Sequence, residues 1–139
     1  MIVVDTNVVS ELARPRPCPE VVSWFERQRL DGLYLSVVTG AEMLAGLLAM
    51  PEGLRRDRVE DCVIDILEHQ FDGRVLAFDA HAAIEYATVL ARRRAAGRPI
   101  ATADAMIAAH ALVGGAALAT RNTRDFEGLG LELVDPWAR

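Results

Sequence analysis

Residues 1–12 read Met1-Ile2-Val3-Val4-Asp5-Thr6-Asn7-Val8-Val9-Ser10-Glu11-Leu12, an apolar run that stops abruptly at a carboxylate. Ile2 to Val4 is short, β-branched and too apolar to be half exposed, so it predicts a buried central strand of a parallel sheet. Asp5 then falls at the carboxyl end of that strand, the edge at which open α/β sheets build ligand sites. Thr6 and Asn7 are short polar residues able to cap the next helix, whose apolar positions Val8, Val9 and Leu12 have helical spacing. Asp5 is open to two readings here, a capping carboxylate and a functional acid.

Working outward, Arg14-Pro15-Arg16-Pro17 forces a turn, and Pro19 suits the first turn of a second helix with Val21, Val22 and Phe25 on one face, ended by Asp31-Gly32. Leu33 to Ser36 predicts a second strand. A helix from about Val37 to Met50 follows, with Leu44, Leu47 and Leu48 as its buried stripe. After Pro51-Glu52-Gly53 the clearest helical period in the chain runs from Leu54 to Phe71, through Val59, Cys62, Val63, Ile66 and Leu67. Val75 to Phe78 predicts a third strand, and Asp79 caps a helix that reaches Arg92-Arg93-Arg94 and stops at Gly97. Thr102 caps a helix that ends at Gly114-Gly115, Ala116 to Ala119 is a fourth strand, and Leu131 to Val134 a final edge strand. Strands alternating with helices predict an α/β fold, a parallel central sheet flanked by helices in three Rossmann-like layers, as a single domain over residues 1–139.

Composition narrows the function. With 139 residues the chain can bury one proper core. No apolar stretch approaches the roughly 20 residues a membrane span needs, and the N-terminus lacks a basic leader, so no membrane association and a cytoplasmic location are expected. Cys18 and Cys62 have no CxxC or Cys/His spacing around them and are read as reduced structural thiols. His69, His81 and His110 stand apart from one another and form no ligand pair. A net charge of -5 argues against a protein that coats nucleic acid. All 15 basic residues are arginine, which excludes a Walker phosphate loop, a Schiff base and a receiver-domain lysine.

Four acids fall where an element begins or ends on one side of the predicted sheet. Asp5 ends the first strand, Glu42 lies early in the helix after the second, Asp104 lies in the first turn of the Thr102 helix, and Asp125 follows the fourth strand. Converging carboxylates suit Mg²⁺ or Mn²⁺, which keep water and share their remaining positions with substrate phosphates. Each acid also has a plainer reading. Thr39 and Glu42 have the spacing of a capping box, Asp104 complements a helix dipole, and Asp125 can be an ordinary turn residue.

These stretches resemble the PIN-domain ribonucleases, specifically the VapC-type toxins and their FitB-like branch. The resemblance rests on the opening twelve residues, on Leu35-Ser-Val-Val-Thr-Gly-Ala-Glu42, on Thr102-Ala-Asp104-Ala-Met-Ile-Ala-Ala109, on Ala119-Thr120-Arg121-Asn122-Thr123-Arg124-Asp125-Phe126, and on the ending Asp135-Pro136-Trp137, in the family's order. It implies a metal-dependent endoribonuclease, the toxin of a type II toxin-antitoxin pair, with Asp5, Glu42 and Asp104 as catalytic and metal-binding acids. The fourth acid divides. FitB-like relatives often carry Asp where this chain has Asn122, and other members carry an acid at the position of Asp125. Thr6, Asn7, Thr120, Asn122 and Arg121 fall to supporting or substrate-binding roles. A divalent ion would polarise the scissile phosphate and activate water, leaving a 5'-phosphate and a 3'-hydroxyl. RNA is the implied substrate and an antitoxin protein the implied partner, in a hetero-oligomer. The wealth of alanine and leucine suggests a homodimer.

Arg14, Arg16, Arg121 and Arg124 lie nearest the site by sequence, while Arg92 to Arg94 read as a solubilising cluster. Two rival functions remain. A haloacid-dehalogenase-like phosphatase would use Asp5 as nucleophile, but it wants a second Asp where Asn7 stands and a lysine that this chain lacks. The other is a catalytically silent PIN-like binding module whose acids only shape a protein surface.

Overall fold

The computed structural model describes residues 1–139. Strands β1 (Ile2–Val4), β2 (Leu33–Ser36), β3 (Val75–Leu76), β4 (Ala117–Ala119) and β5 (Leu133–Val134) form one parallel sheet in the order β3-β2-β1-β4-β5. Around it lie α1 (Thr6–Leu12), α2 (Pro19–Glu26), α3 (Val37–Leu48), α4 (Leu54–Asp65), α5 (Ala80–Ala95) and α6 (Thr102–Gly114). The chain winds from β1 outward to β3, then returns to the other side of β1 for β4. The direction of winding therefore reverses between β1 and β4, which opens a crevice beyond their carboxyl ends.

Side chains alternate across the sheet. Val4, Leu33 and Leu35 join Val8, Val21, Trp24, Met43, Val63, Ile66 and Phe71 in one core beneath α1 to α4. Val3 and Leu118 join Val89, Ala105, Ile107, Ala108, Ala111, Phe126 and Leu129 in a second core beneath α5 and α6. Alanines on α6 let that helix lie close to the strands. No helix is long and apolar enough to cross a membrane.

Several expectations need correction. The second helix ends at Glu26, where Gln28 folds back to donate to the Trp24 carbonyl, and Asp31-Gly32 belongs to a separate 3-10 turn. Trp24 rather than Phe25 is its buried aromatic. α3 buries Thr39, Gly40, Met43 and Leu47, which turns the expected core residues Leu44 and Leu48 outward, 44% and 70% exposed. Cys62 is exposed, so it has no packing role.

α4 does not run regularly to Phe71. Its last turn, Ile66–Gln70, widens to π geometry, and the Phe71 N–H donates to the Ile66 carbonyl at 3.0 Å, setting Phe71 into the core. β3 is only two residues long because Phe78 leaves the sheet to pack edge-on against Tyr86 and His110. His110 is a buried core residue, its Nε2 without a partner. Asp79 caps α5 as predicted, accepting from the Ala82 N–H at 3.0 Å. Thr102 does not cap α6; Ala101 holds that position and Thr102 is the first helical residue.

Candidate active site

Asp5 sits at the floor of the crevice, 3% exposed. The capping reading of this residue is borne out, and its two oxygens are used differently. Oδ1 accepts the Thr6 N–H at 2.7 Å as the cap of α1, and Oδ2 accepts the Thr120 hydroxyl at 2.7 Å from the end of β4. Burial pushes its carboxyl above the ordinary range; the bonds from Thr120 and Thr6 pull the other way, and the charges of Glu42 and Asp125 add to the rise.

Thr120 has one hydroxyl hydrogen and three neighbours. It accepts the Asn122 N–H at 3.1 Å and the Asn7 amide at 3.4 Å, so its own hydrogen is free to go to Asp5. Asn7 in turn accepts the Arg121 N–H at 3.3 Å. The turn after β4 is thus tied to α1 through side chains.

Glu42 is not part of a capping box. Ser36 caps α3 by accepting the Val38 N–H at 3.0 Å, which places Thr39 inside the helix and Glu42 in its second turn. Glu42 Oε1 accepts the Thr6 hydroxyl at 2.7 Å, and the Thr6 oxygen lies 3.0 Å from that of buried Thr39. Because the Thr6 hydrogen is given to Glu42, Thr39 must donate to Thr6. Thr39 is a member of this network that sequence reasoning missed. The signal was present in Ser36, an equally good cap three residues earlier.

Asp104 projects from the first turn of α6, half-buried, with its carboxyl pushed up to about 6 by burial and then by the charges of Asp5, Asp125 and Glu42. Asp125 lies exposed on a 3-10 turn, Thr123–Phe126, whose Asn122 sits at the cap; the Asp125 N–H donates to the Asn122 carbonyl at 3.0 Å. The fold therefore brings the four acids within electrostatic reach of one another, with Thr6, Asn7, Thr120 and the Arg121 and Asn122 backbone hydrogen-bonded beside Asp5, while the Arg121 side chain turns to Trp137. No three of the acids close into a ready-made metal cage. Four carboxylates of hard oxygen character still suit a Mg²⁺-like ion that keeps its waters, and the Asp104 carboxyl, raised first by burial and further by its acidic neighbours, lies among charges that a cation relieves.

The arginines divide differently from expectation. Arg14 pairs with Glu11 at 3.0 Å, and Arg121 stacks on Trp137, 5.1 Å from the ring centre. Arg93, expected on a solubilising face, is only 5% exposed.

The PIN domain model matches residues 2–130. The plasmid stability protein StbB of Pseudomonas syringae pv. tomato is 46% identical over 137 residues, covering 99% of each chain. The VapC ribonuclease Y4jK of Sinorhizobium fredii is 44% identical over 141 residues, covering 99% of this chain and 98% of its own. The crystal structure of FitAcB from Neisseria gonorrhoeae superposes with a TM-score of 0.92 at 34% identity over the whole of both chains. With the domain model spanning nearly its full length and such relatives matched from end to end, the chain belongs to the PIN domain family, in the branch of the VapC and FitB proteins.

Proposed function

We propose that the protein is a metal-dependent endoribonuclease and the toxin of a toxin-antitoxin pair. The observation that supports this reading is the gathering of four acids from four separate segments near the crevice between β1 and β4, where burial, and after it the charges of Asp5, Asp125 and Glu42, pushes the Asp104 carboxyl up to about 6. Such crowding is unfavourable in an empty pocket and favourable around a divalent cation.

Asp5, Glu42, Asp104 and Asp125 would hold Mg²⁺ or Mn²⁺, which supplies charge neutralisation at the scissile phosphate and a nucleophilic water at neutral pH. The chain's own part is orientation. Thr120 and Thr6 fix the two oxygens of Asp5, and the Thr39–Thr6 pair aims Glu42 into the crevice. Asn7 and the Arg121 backbone brace the turn that carries Asn122 and Asp125. Arg121, held over Trp137 at the turn after β4, would offer its guanidinium as a contact for RNA.

The ribonuclease name of the Sinorhizobium relative and its near-complete coverage support RNA as substrate. The reading places the protein in the cytoplasm with an antitoxin as its silencing partner. The outward-facing Leu44 and Leu48 of α3, with Val37 on the same helix, support a homodimer built on that face.

The test is cleavage of labelled single-stranded RNA by purified protein with Mn²⁺ and with chelator. Cuts with 5'-phosphate ends that vanish under chelation are expected, and intact RNA at saturating Mn²⁺ would overturn the reading. Sedimentation of Leu48→Glu should shift a dimer to a monomer; an unchanged species removes the α3 face as the interface.

A further inference from the structure

Arg93 lies buried on α5, yet no carboxylate pairs with it; Nη1 donates to the Glu127 carbonyl at 3.0 Å and Nε has no partner. Burying a guanidinium with so few bonds is costly, and methionine would fill the same space more cheaply. Arg98 completes the arrangement. Gly97, at φ 69°, turns the chain so that the Arg98 N–H donates to the Arg93 carbonyl at 2.9 Å. The Arg98 side chain then reaches Glu127 Oε2 at 3.2 Å and the Arg124 carbonyl at 3.4 Å.

The two held carbonyls, Arg124 and Glu127, bracket Asp125. Phe126 between them is 1% exposed and anchored in the second core. The turn that presents Asp125 is thus gripped on both sides, by Arg93 from α5 and by Arg98 from the connection that follows it, although no other bond in the structure ties Asp125 itself beyond its own turn. We propose that Arg93 and Arg98 are positioning residues that clamp the Asn122–Glu127 turn and set Asp125 against Asp5 and Asp104. The role rests on reading those acids as a metal site.

The test is calorimetric Mn²⁺ titration of the full chain as wild type, Arg98→Met, Asp125→Asn and the double variant, with amide hydrogen exchange at Asp125. Arg98 is half exposed, so its variant keeps the fold even where Arg93→Met does not. Removing a nearby positive charge by itself tightens cation binding, so a weakening reports geometry and not charge. The expected result is a midpoint raised about tenfold in Arg98→Met, with faster exchange at Asp125 and no further rise when Asp125 is already Asn. An unchanged or lowered midpoint, or an equal rise in the Asp125→Asn background, overturns the clamp. Absence of saturable Mn²⁺ binding by wild type overturns the metal site and the clamp's role together, a result distinct from saturable wild-type binding with indifferent variants.

Discussion

Thr120 donates its hydroxyl hydrogen to Asp5 Oδ2 at 2.7 Å, joining the ends of two neighbouring strands that lie 115 positions apart in the chain. The bond leaves Asp5 Oδ2 with a fixed direction inside a buried pocket. Asp5→Asn preserves volume and removes the charge, while its single amide oxygen can accept only one of the two hydrogen bonds, from Thr6 or from Thr120. We expect RNA cleavage to fall about 100-fold or more with an unchanged circular dichroism spectrum. Thr120→Val should cost about tenfold in Mn²⁺ affinity. A folded Asp5→Asn protein cutting at the parental rate would remove the acid from the site.

Glu42 is bonded to Thr6 from the second turn of α3, away from the cap at Ser36. Glu42→Gln can still accept that hydrogen bond, so the fold and melting temperature should hold. Activity should drop steeply because the charge is gone. A near-normal rate measured under saturating Mn²⁺ would reduce Glu42 to a surface residue.

Asp104 makes metal-free stability depend on pH. Folded, its carboxyl holds a proton up to about pH 6; unfolded, it releases it around the ordinary 3.8. The folded state binds more protons across that interval, so the contribution of this group is fully present below about pH 4 and is lost as pH rises through 6. Asp104→Asn should therefore stabilise metal-free protein at pH 7.5 by about 1 kcal/mol, a figure discounted because the side chain is half exposed, and leave it unchanged at pH 4. Equal melting temperatures at both pH values in chelator would contradict the raised carboxyl.

Asn122 and Asp125 share one short turn, with Asn122 at its cap and Asp125 exposed. Adding charge through Asn122→Asp should lower the Mn²⁺ midpoint, and removing it through Asp125→Asn should raise it. A midpoint indifferent to Asp125→Asn leaves a three-carboxylate centre.

The sheet was readable because buried parallel strands demand unbroken apolar runs, and Ile2–Val4 and Leu33–Ser36 have no other use. The location of Asp5 and Asp104 was readable for the same reason, since they adjoin the end of a strand and the start of a helix, whereas Glu42 lies a turn inside α3 and Asp125 in the turn after β4. The orientation of α3 was not readable. Its sequence offers two leucine-bearing faces, and only packing against the neighbouring α1, α4 and α6 selects Met43 and Leu47 over Leu44 and Leu48. Arg93 was misread because an arginine in a last helical turn satisfies the dipole rule whether or not it is buried. Thr39 was misread because two caps, Ser36 and Thr39, competed within one turn.

The strand made first, β1, occupies the middle of the sheet, and its partner β4 starts only at Ala117. In order of synthesis Ile2–Val4 has one open side until Ala117–Ala119 has followed it, and Thr120 and Asp125 come later still. An incomplete polypeptide released at any earlier point lacks part of the acid cluster. Under the proposed nuclease reading, this ordering means that the acid cluster can assemble only after Asp125 has been made, and a product terminated before that residue would lack one of its four acids.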